Sequence, residues 1–363
     1  MKIAHTKSRI SQPACLAIGA AILFGASTPA AKLLTGQIHP QLLAGLLYLG
    51  SGVGLLLYSL VTNSIAGSKS ENRLKGLDFA WLAAAVLFGG IAGPLLLMIG
   101  LSSTTAGAAS LLLNMEAVFT ALLAWFAFKE NFDRRILLGM LAIVGGSILL
   151  AWQPGAVIAI SIGSLAIVGA CFCWALDNNF TRNISEADPV QIAAIKGLVA
   201  GAVNAGMAFV YGSRLPNISI LSEAAALGFM GYGLSLVLFI RALRHLGTAR
   251  TGAYFSTAPF TGAILSVLIL HEPITGQLVL AGCFMALGVW LHLTEAHEHE
   301  HSHPAEEHDH MHSHDEHHQH EHDPNISAGE PHSHWHKHVA ITHSHPHYPD
   351  TQHRHEHIKD KLS

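Results

Sequence analysis

Residues 117–130 read AVFTALLAWFAFKE and residues 259–272 read PFTGAILSVLILHE. Each is an apolar run closed by a glutamate, and Glu130 falls on Glu272 when the chain is slid along itself by 142 positions. At that offset Leu101 meets Leu243, Leu138 meets Leu280 and Gly146 meets Gly288, with no gap between 100–150 and 242–292. The start of the chain repeats as well. Gly19, Ala20 and Lys32 meet Gly169, Ala170 and Arg182 at an offset of 150, and Pro40 meets Pro189 at 149. Single matches carry little in so biased a composition; their order and near-constant spacing carry the reading. A duplicated unit decides architecture before any other feature does.

Around these runs the chain is poor in charge, at 12% of 363 residues, where a soluble domain carries about 25%. Crossing a bilayer takes about 20 mostly apolar residues. Candidate spans lie near 12–34, 40–62, 79–100, 106–128, 136–152, 158–181, 189–211, 220–241, 249–270 and 276–293. The expected fold is an all-α membrane protein of ten transmembrane helices followed by a disordered tail. Its parts are a first five-helix repeat over 1–152, a second over 153–295 and a tail over 296–363. Five is odd, so the second repeat enters the membrane from the opposite side, giving inverted repeats of the kind common in secondary transporters.

Lys2, Lys7 and Arg9 before the first span, and Ala30-Ala31 near its end, imitate a secretory signal. The segment runs on to Lys32 and has its own repeat partner, so it is read as a span. Lys and Arg gather in the loops that are cytoplasmic if the N-terminus is, while Lys32 and Arg214 alone fall outside. Both termini are therefore expected in the cytoplasm of a multi-pass plasma-membrane protein, a bacterial inner membrane by expectation. Cys15, Cys171, Cys173 and Cys283 all sit in apolar segments and read as packing residues.

The pattern resembles the EamA type of the drug/metabolite transporter superfamily, over about 12–293. The residues that carry the resemblance are Phe24-Gly25 with Lys32, Trp174-Ala175 with Arg182, and the two runs quoted above. The resemblance implies ten spans in two five-span repeats and transport of small metabolites, with the substrate open. One departure stands out. The family's proline is kept at Pro259 but replaced by Ala117, with Glu116 just before it.

Charges inside spans are costly and face the bundle interior. Glu116 lies roughly 15 Å into its span at 1.5 Å per residue, near the midplane, with Thr120 on the same face. It is a candidate proton- or cation-binding carboxylate, against a neutral acid held in helix packing. Lys196, basic at a position where the family frequently is, either binds an anionic group, pairs with a carboxylate or snorkels to the surface. Asp177 shares a face with Trp174 and stands within reach of Lys196, against a polar helix end. Glu116, Thr120, Asp177, Trp174 and Lys196 form the candidate substrate or coupling-ion path. His271-Glu272-Pro273 is not the His-Glu-x-x-His of metalloproteases, because no second histidine follows; it reads as the outer end of a span.

The tail is different chemistry. Residues 297–357 hold 22 histidines, alternating as His297, His299, His301, His303, then His308, His310, His312, His314, then His332, His334, His336, His338, then His343, His345, His347. In an extended chain such alternation lines one side with imidazoles, which suit labile Ni, Zn, Co or Cu. Almost no aliphatic residue is present to fold it. As a flexible chain it spans about 45 Å, by 5–6 Å × √n.

Three functions are weighed: a transporter of a metal ion or metal-linked solute with the tail as collector or sensor; a metabolite or drug exporter whose tail only buffers or senses metal; and a membrane-anchored metal buffer. No required cofactor, nucleic acid or enzymatic nucleophile–base pair is expected. The expected partners are the lipid bilayer and a small-molecule or metal-ion substrate, with a homodimer left open.

Overall fold

The computed structural model describes residues 12–66, 74–128, 134–152, 161–184, 187–293, 297–303, 307–312, 332–337 and 341–347. Two compact units result, Met1–Glu295 and Ala296–Ser363.

The first unit is helical. Helices α1 (Gln12–Leu34) and α2 (Pro40–Ala66) are followed by α3 (Asp78–Ala85), a π-helical segment Val86–Ala92 and α4 (Gly93–Ser103), which run on as one rod. Next come α5 (Ala106–Leu112), α6 (Met115–Phe128), α7 (Arg134–Ala151), α8 (Ile162–Arg182) and α9 (Pro189–Val210). A second rod joins α10 (Ile218–Leu227), a π-helical segment Gly228–Leu234 and α11 (Ser235–Phe255); α12 (Ala258–Leu270) and α13 (Gly276–Leu293) close the unit. Large apolar side chains such as Leu57, Val61, Phe126, Leu141, Val210 and Leu268 point outward. Water would not tolerate so much exposed apolar surface, whereas lipid requires it. The chain is a multi-pass membrane protein.

Among the described residues seven helices are long and apolar enough to cross a membrane, where the sequence reading expects ten spans. Three expected spans differ for physical reasons. α8 is long enough but ends in Asp177, Asn178, Asn179 and Arg182. α12, and the apolar stretch Gly276–Leu291 of α13, are short. The expected break between spans at 241 and 249 is also absent, since α11 runs unbroken through it. Strong helix formers (Arg241, Ala242, Leu243, Arg244) occupy that stretch with no proline. At the equivalent place in the first half, Ser102-Ser103-Thr104-Thr105 gives way to extended backbone, and Thr105 accepts from the Ala108 amide to start α5.

Irregularities recur at the repeat offset. The π segments begin at 86 and 228, which are 142 apart. Short turns at Leu113–Asn114 and Ser256–Thr257 break the helices that follow. Helix contacts recur in the same way. A Cβ at Gly146 of α7 would lie 3.0 Å from the Ala281 carbonyl oxygen of α13, and one at Gly288 of α13 would lie 2.6 Å from that of Gly139 of α7. Moving either pair by 142 generates the other. Likewise a Cβ at Gly52 of α2 would overlap the Leu198 amide of α9, and one at Gly201 of α9 the Leu49 amide of α2. Such small residues permit the close backbone approach on which bundles in lipid rely.

The described residues of the second unit form four strands. Strands β1 (His297–His303) and β4 (Ile341–His347) pair antiparallel, as do β2 (Glu307–His312) and β3 (His332–Lys337). The alternation that spaces the histidines is also the period of a strand. In register, His297, His299 and His301 stand opposite His347, His345 and His343; His308, His310 and His312 stand opposite His336, His334 and His332. Two-stranded ladders without an apolar face are marginal in water.

Candidate functional site

The site begins with the first π segment. A π turn spaces its backbone hydrogen bonds irregularly and frees carbonyls for other donors. The Gly89 carbonyl accepts from Tyr48 Oη of α2 at 2.8 Å and from Trp174 Nε1 of α8 at 3.0 Å. The Gly90 and Ile91 carbonyls face Asn204 Nδ2 of α9 at 3.4 and 3.3 Å. Gly89 must be glycine, because a Cβ there would occupy the space of the Asp177 carboxylate.

Asp177 and Lys196 form a buried ion pair, with side chains 8% and 5% exposed. The other Asp177 oxygen accepts from Thr181 Oγ1 at 3.1 Å. Burial this deep is tolerated only where charges are paired and bonded, and here α8 and α9 supply both partners. Next to Asp177 in sequence, Asn178 donates to Glu116 Oε1 at 2.6 Å. Glu116 stands in the first turn of α6, two residues after the break at Asn114. Asn114 Nδ2 donates to the Leu111 carbonyl at 2.9 Å and to Met285 Sδ of α13 at 3.8 Å.

Glu116, Asp177, Trp174 and Lys196 thus line one cavity, with about 580 Å³ of empty space including its mouth. Thr120 is not part of that lining; its shielded hydroxyl makes no hydrogen bond among the described residues. The cavity's remaining lining is largely aromatic. Phe24 is the hub, with ring centroids 5.8 Å from Trp174, 6.0 Å from Tyr232 and 5.4 Å from Phe255. Tyr48 lies 5.5 Å from Tyr232, and Phe239 lies 4.9 Å from Phe255. Phe24 and Trp174 are repeat partners at the offset of 150, so each half sends its matching aromatic into the same space. The halves differ beside them. Gly89 and Gly231, 142 apart, both leave room for a neighbour, which is Asp177 at the first and Ser27 at the second.

Sequence reasoning missed Tyr48, Tyr232, Phe239 and Phe255, because an aromatic within a span reads as lipid-facing. A hydroxyl placed mid-span, as in Tyr48 and Tyr232, was the available signal. Glu272 was read as a helix end; its carboxylate in fact accepts from the Ala106 and Gly107 amides at 2.7 and 2.8 Å, capping α5. Glu130 lies outside the described residues.

Among the described residues no group of three His, Cys, Asp or Glu side chains is placed to hold a metal ion, and the cavity lining includes no His, Cys or Met. Of the expected tail ligands, His314 and His338 lie outside the described residues, and the others fall on the four strands.

Comparison with known proteins gives a consistent picture. The pattern of the EamA-like transporter family matches residues 12–152 and 161–294. An uncharacterized transporter of Methanothermobacter thermautotrophicus is 30% identical over 76% of this chain and 84% of its own. A probable amino-acid metabolite efflux pump of Salmonella typhimurium is 27% identical over 60% of this chain and 72% of its own. A solved structure shares the fold at a TM-score of 0.59 and 19% identity, covering 78% of this chain and 96% of that one.

Proposed function

Because the chain belongs to the EamA-like transporter family, we propose that it carries a small organic solute across the membrane by alternating access at the Glu116 cavity. The observation that carries this reading is the cavity itself, where buried charge is assembled from α6, α8 and α9 among aromatic side chains of both halves. The contact of Gly146 with Ala281 and its image, Gly288 with Gly139, like that of Gly52 with Leu198 and its image, Gly201 with Leu49, supports two five-span repeats of inverted topology. Such repeats rock about a central site. Discontinuous helices at that site are the usual means of presenting polar groups within lipid, and α5–α6 is broken beside Glu116.

In this reading Glu116 takes up and releases the coupling proton or cation. Its partner Asn178 is a neutral donor and leaves it free to titrate, while Asp177 and Lys196 neutralise each other. Both termini face the cytoplasm, and the membrane is a bacterial inner membrane. The test is flux in proteoliposomes under a pH gradient, comparing the intact chain with Glu116→Gln. Gradient-driven flux should vanish in the variant while its unfolding temperature is kept; unchanged driven flux would remove Glu116 from the mechanism.

The metal belongs to the tail in our reading, as a buffer or sensor on the cytoplasmic side. Cross-strand histidine pairs support it, because opposed residues of an antiparallel ladder stand about 5 Å apart. A cavity without soft ligands disfavours a transition-metal ion as cargo.

A further inference from the structure

We infer that the solute is an organic cation, an amine or ammonium on an apolar body, held by cation–π contact with Glu116 as its counter-charge. This rests on the transport reading above and names its substrate class. Three observations support it.

The first is charge. Glu116, Asp177 and Lys196 are the charged residues in the cavity lining. Lys196 is committed to Asp177, so the site carries one uncompensated carboxylate when all three are ionised. A bound anion would meet that carboxylate with the lysine already spent, whereas a bound cation restores neutrality in a medium where unpaired charge is costly.

The second is the wall. Phe24, Tyr48, Trp174, Tyr232, Phe239 and Phe255 all line the cavity, and five ring pairs among them lie between 4.9 and 6.0 Å apart. Clustered rings offer their negative faces to a cation, and desolvation strengthens that attraction. Leucine or valine would serve equally well to exclude water, so aromatic enrichment is a choice of chemistry.

The third is an incompletely satisfied group. Tyr232 is 7% exposed, and its hydroxyl meets a single polar side chain, Ser27, without full hydrogen-bond geometry. Ser27 nearby donates to the Phe24 carbonyl at 2.6 Å. Buried polar groups short of partners are rare, and a hydroxyl lining a cavity is completed by an ammonium N–H donor.

The experiment uses three probes with one indole body and different charge: tryptamine, tryptophan and indole-3-acetate. Binding to the detergent-solubilised full chain is measured by equilibrium dialysis. Tryptamine should bind at least tenfold more tightly than the zwitterion or the anion. Glu116→Gln should erase that order, and Phe24→Leu should weaken tryptamine tenfold while Phe24→Trp retains it. Equal or tighter binding of tryptophan or indole-3-acetate overturns the inference, and so does an unchanged charge order in Glu116→Gln. The charge series on the unaltered chain decides the matter even if a variant fails to fold. Flux in liposomes separates the two readings. Tryptamine bound in charge order but no compound carried overturns transport alone; a compound carried without that order overturns the cation assignment alone.

Discussion

Lys196 and Asp177 show how a single residue's cost depends on its partner. Removing the lysine in Lys196→Ala leaves a buried carboxylate unpaired, which costs about 3–5 kcal/mol; the unfolding temperature in detergent should fall accordingly. The double variant Asp177→Asn/Lys196→Met removes both charges and should recover most of that loss, because the penalty comes from the orphaned charge. A double as unstable as the single would show that packing, not charge, is at stake. Gly89→Ala is a third test at this scale. Its Cβ needs the volume of the Asp177 carboxylate, so it should perturb the pair and reduce flux although it adds only a methyl group. The charges of this site were legible in the sequence, since Glu116, Asp177 and Lys196 interrupt long apolar runs. Their pairing was legible only as an option, because it depends on how α8 and α9 face each other.

Helices α7 and α13 meet on glycines, so their seam tests packing at the scale of elements. Gly146→Val would drive a side chain into the Ala281 carbonyl and Met285, and overpacking of this kind costs about 1–3 kcal/mol. Its neighbour Gly145 has open space where a Cβ would stand. Gly145→Ala should therefore stabilise by about 0.5–1 kcal/mol, the usual gain of alanine over glycine within a helix. Opposite shifts of the two unfolding temperatures are expected, and a loss in both would mean that the seam is not where the structure puts it. The first span was read from hydropathy as 12–34 and α1 is Gln12–Leu34. The π segments and the turns at Leu113–Asn114 and Ser256–Thr257 were not foreseen. A hydropathy window averages over some twenty residues, and a backbone irregularity of two to seven leaves no mark on it. The continuity of α11 was misjudged because charged Arg241, Arg244 and Arg250 read as a loop, whereas arginine is also a good helix former.

At the scale of the whole molecule, the helical unit and the histidine unit are separate compact bodies. Truncation after Glu295 should leave the unfolding temperature and the flux of the helical unit unchanged while binding of Ni, Zn, Co and Cu falls to background by isothermal titration. Retained metal binding would place ligands elsewhere; lost flux would make the tail part of the carrier. Within the helical unit, the corner between α4 and α5 is closed by two charges from distant sequence. Lys32 Nζ donates to the Leu101 and Thr104 carbonyls at 2.6 and 2.8 Å, and the Glu272 carboxylate takes the Ala106 and Gly107 amides. A chain reversal ordinarily borrows water or lipid headgroups to satisfy such groups, but this one brings its own ions. It is therefore insulated from the depth at which it sits. Bilayers of shorter or longer acyl chains should leave amide exchange at Ala106 and Gly107 equally slow, while reversals without such a pair loosen as the interface moves past them.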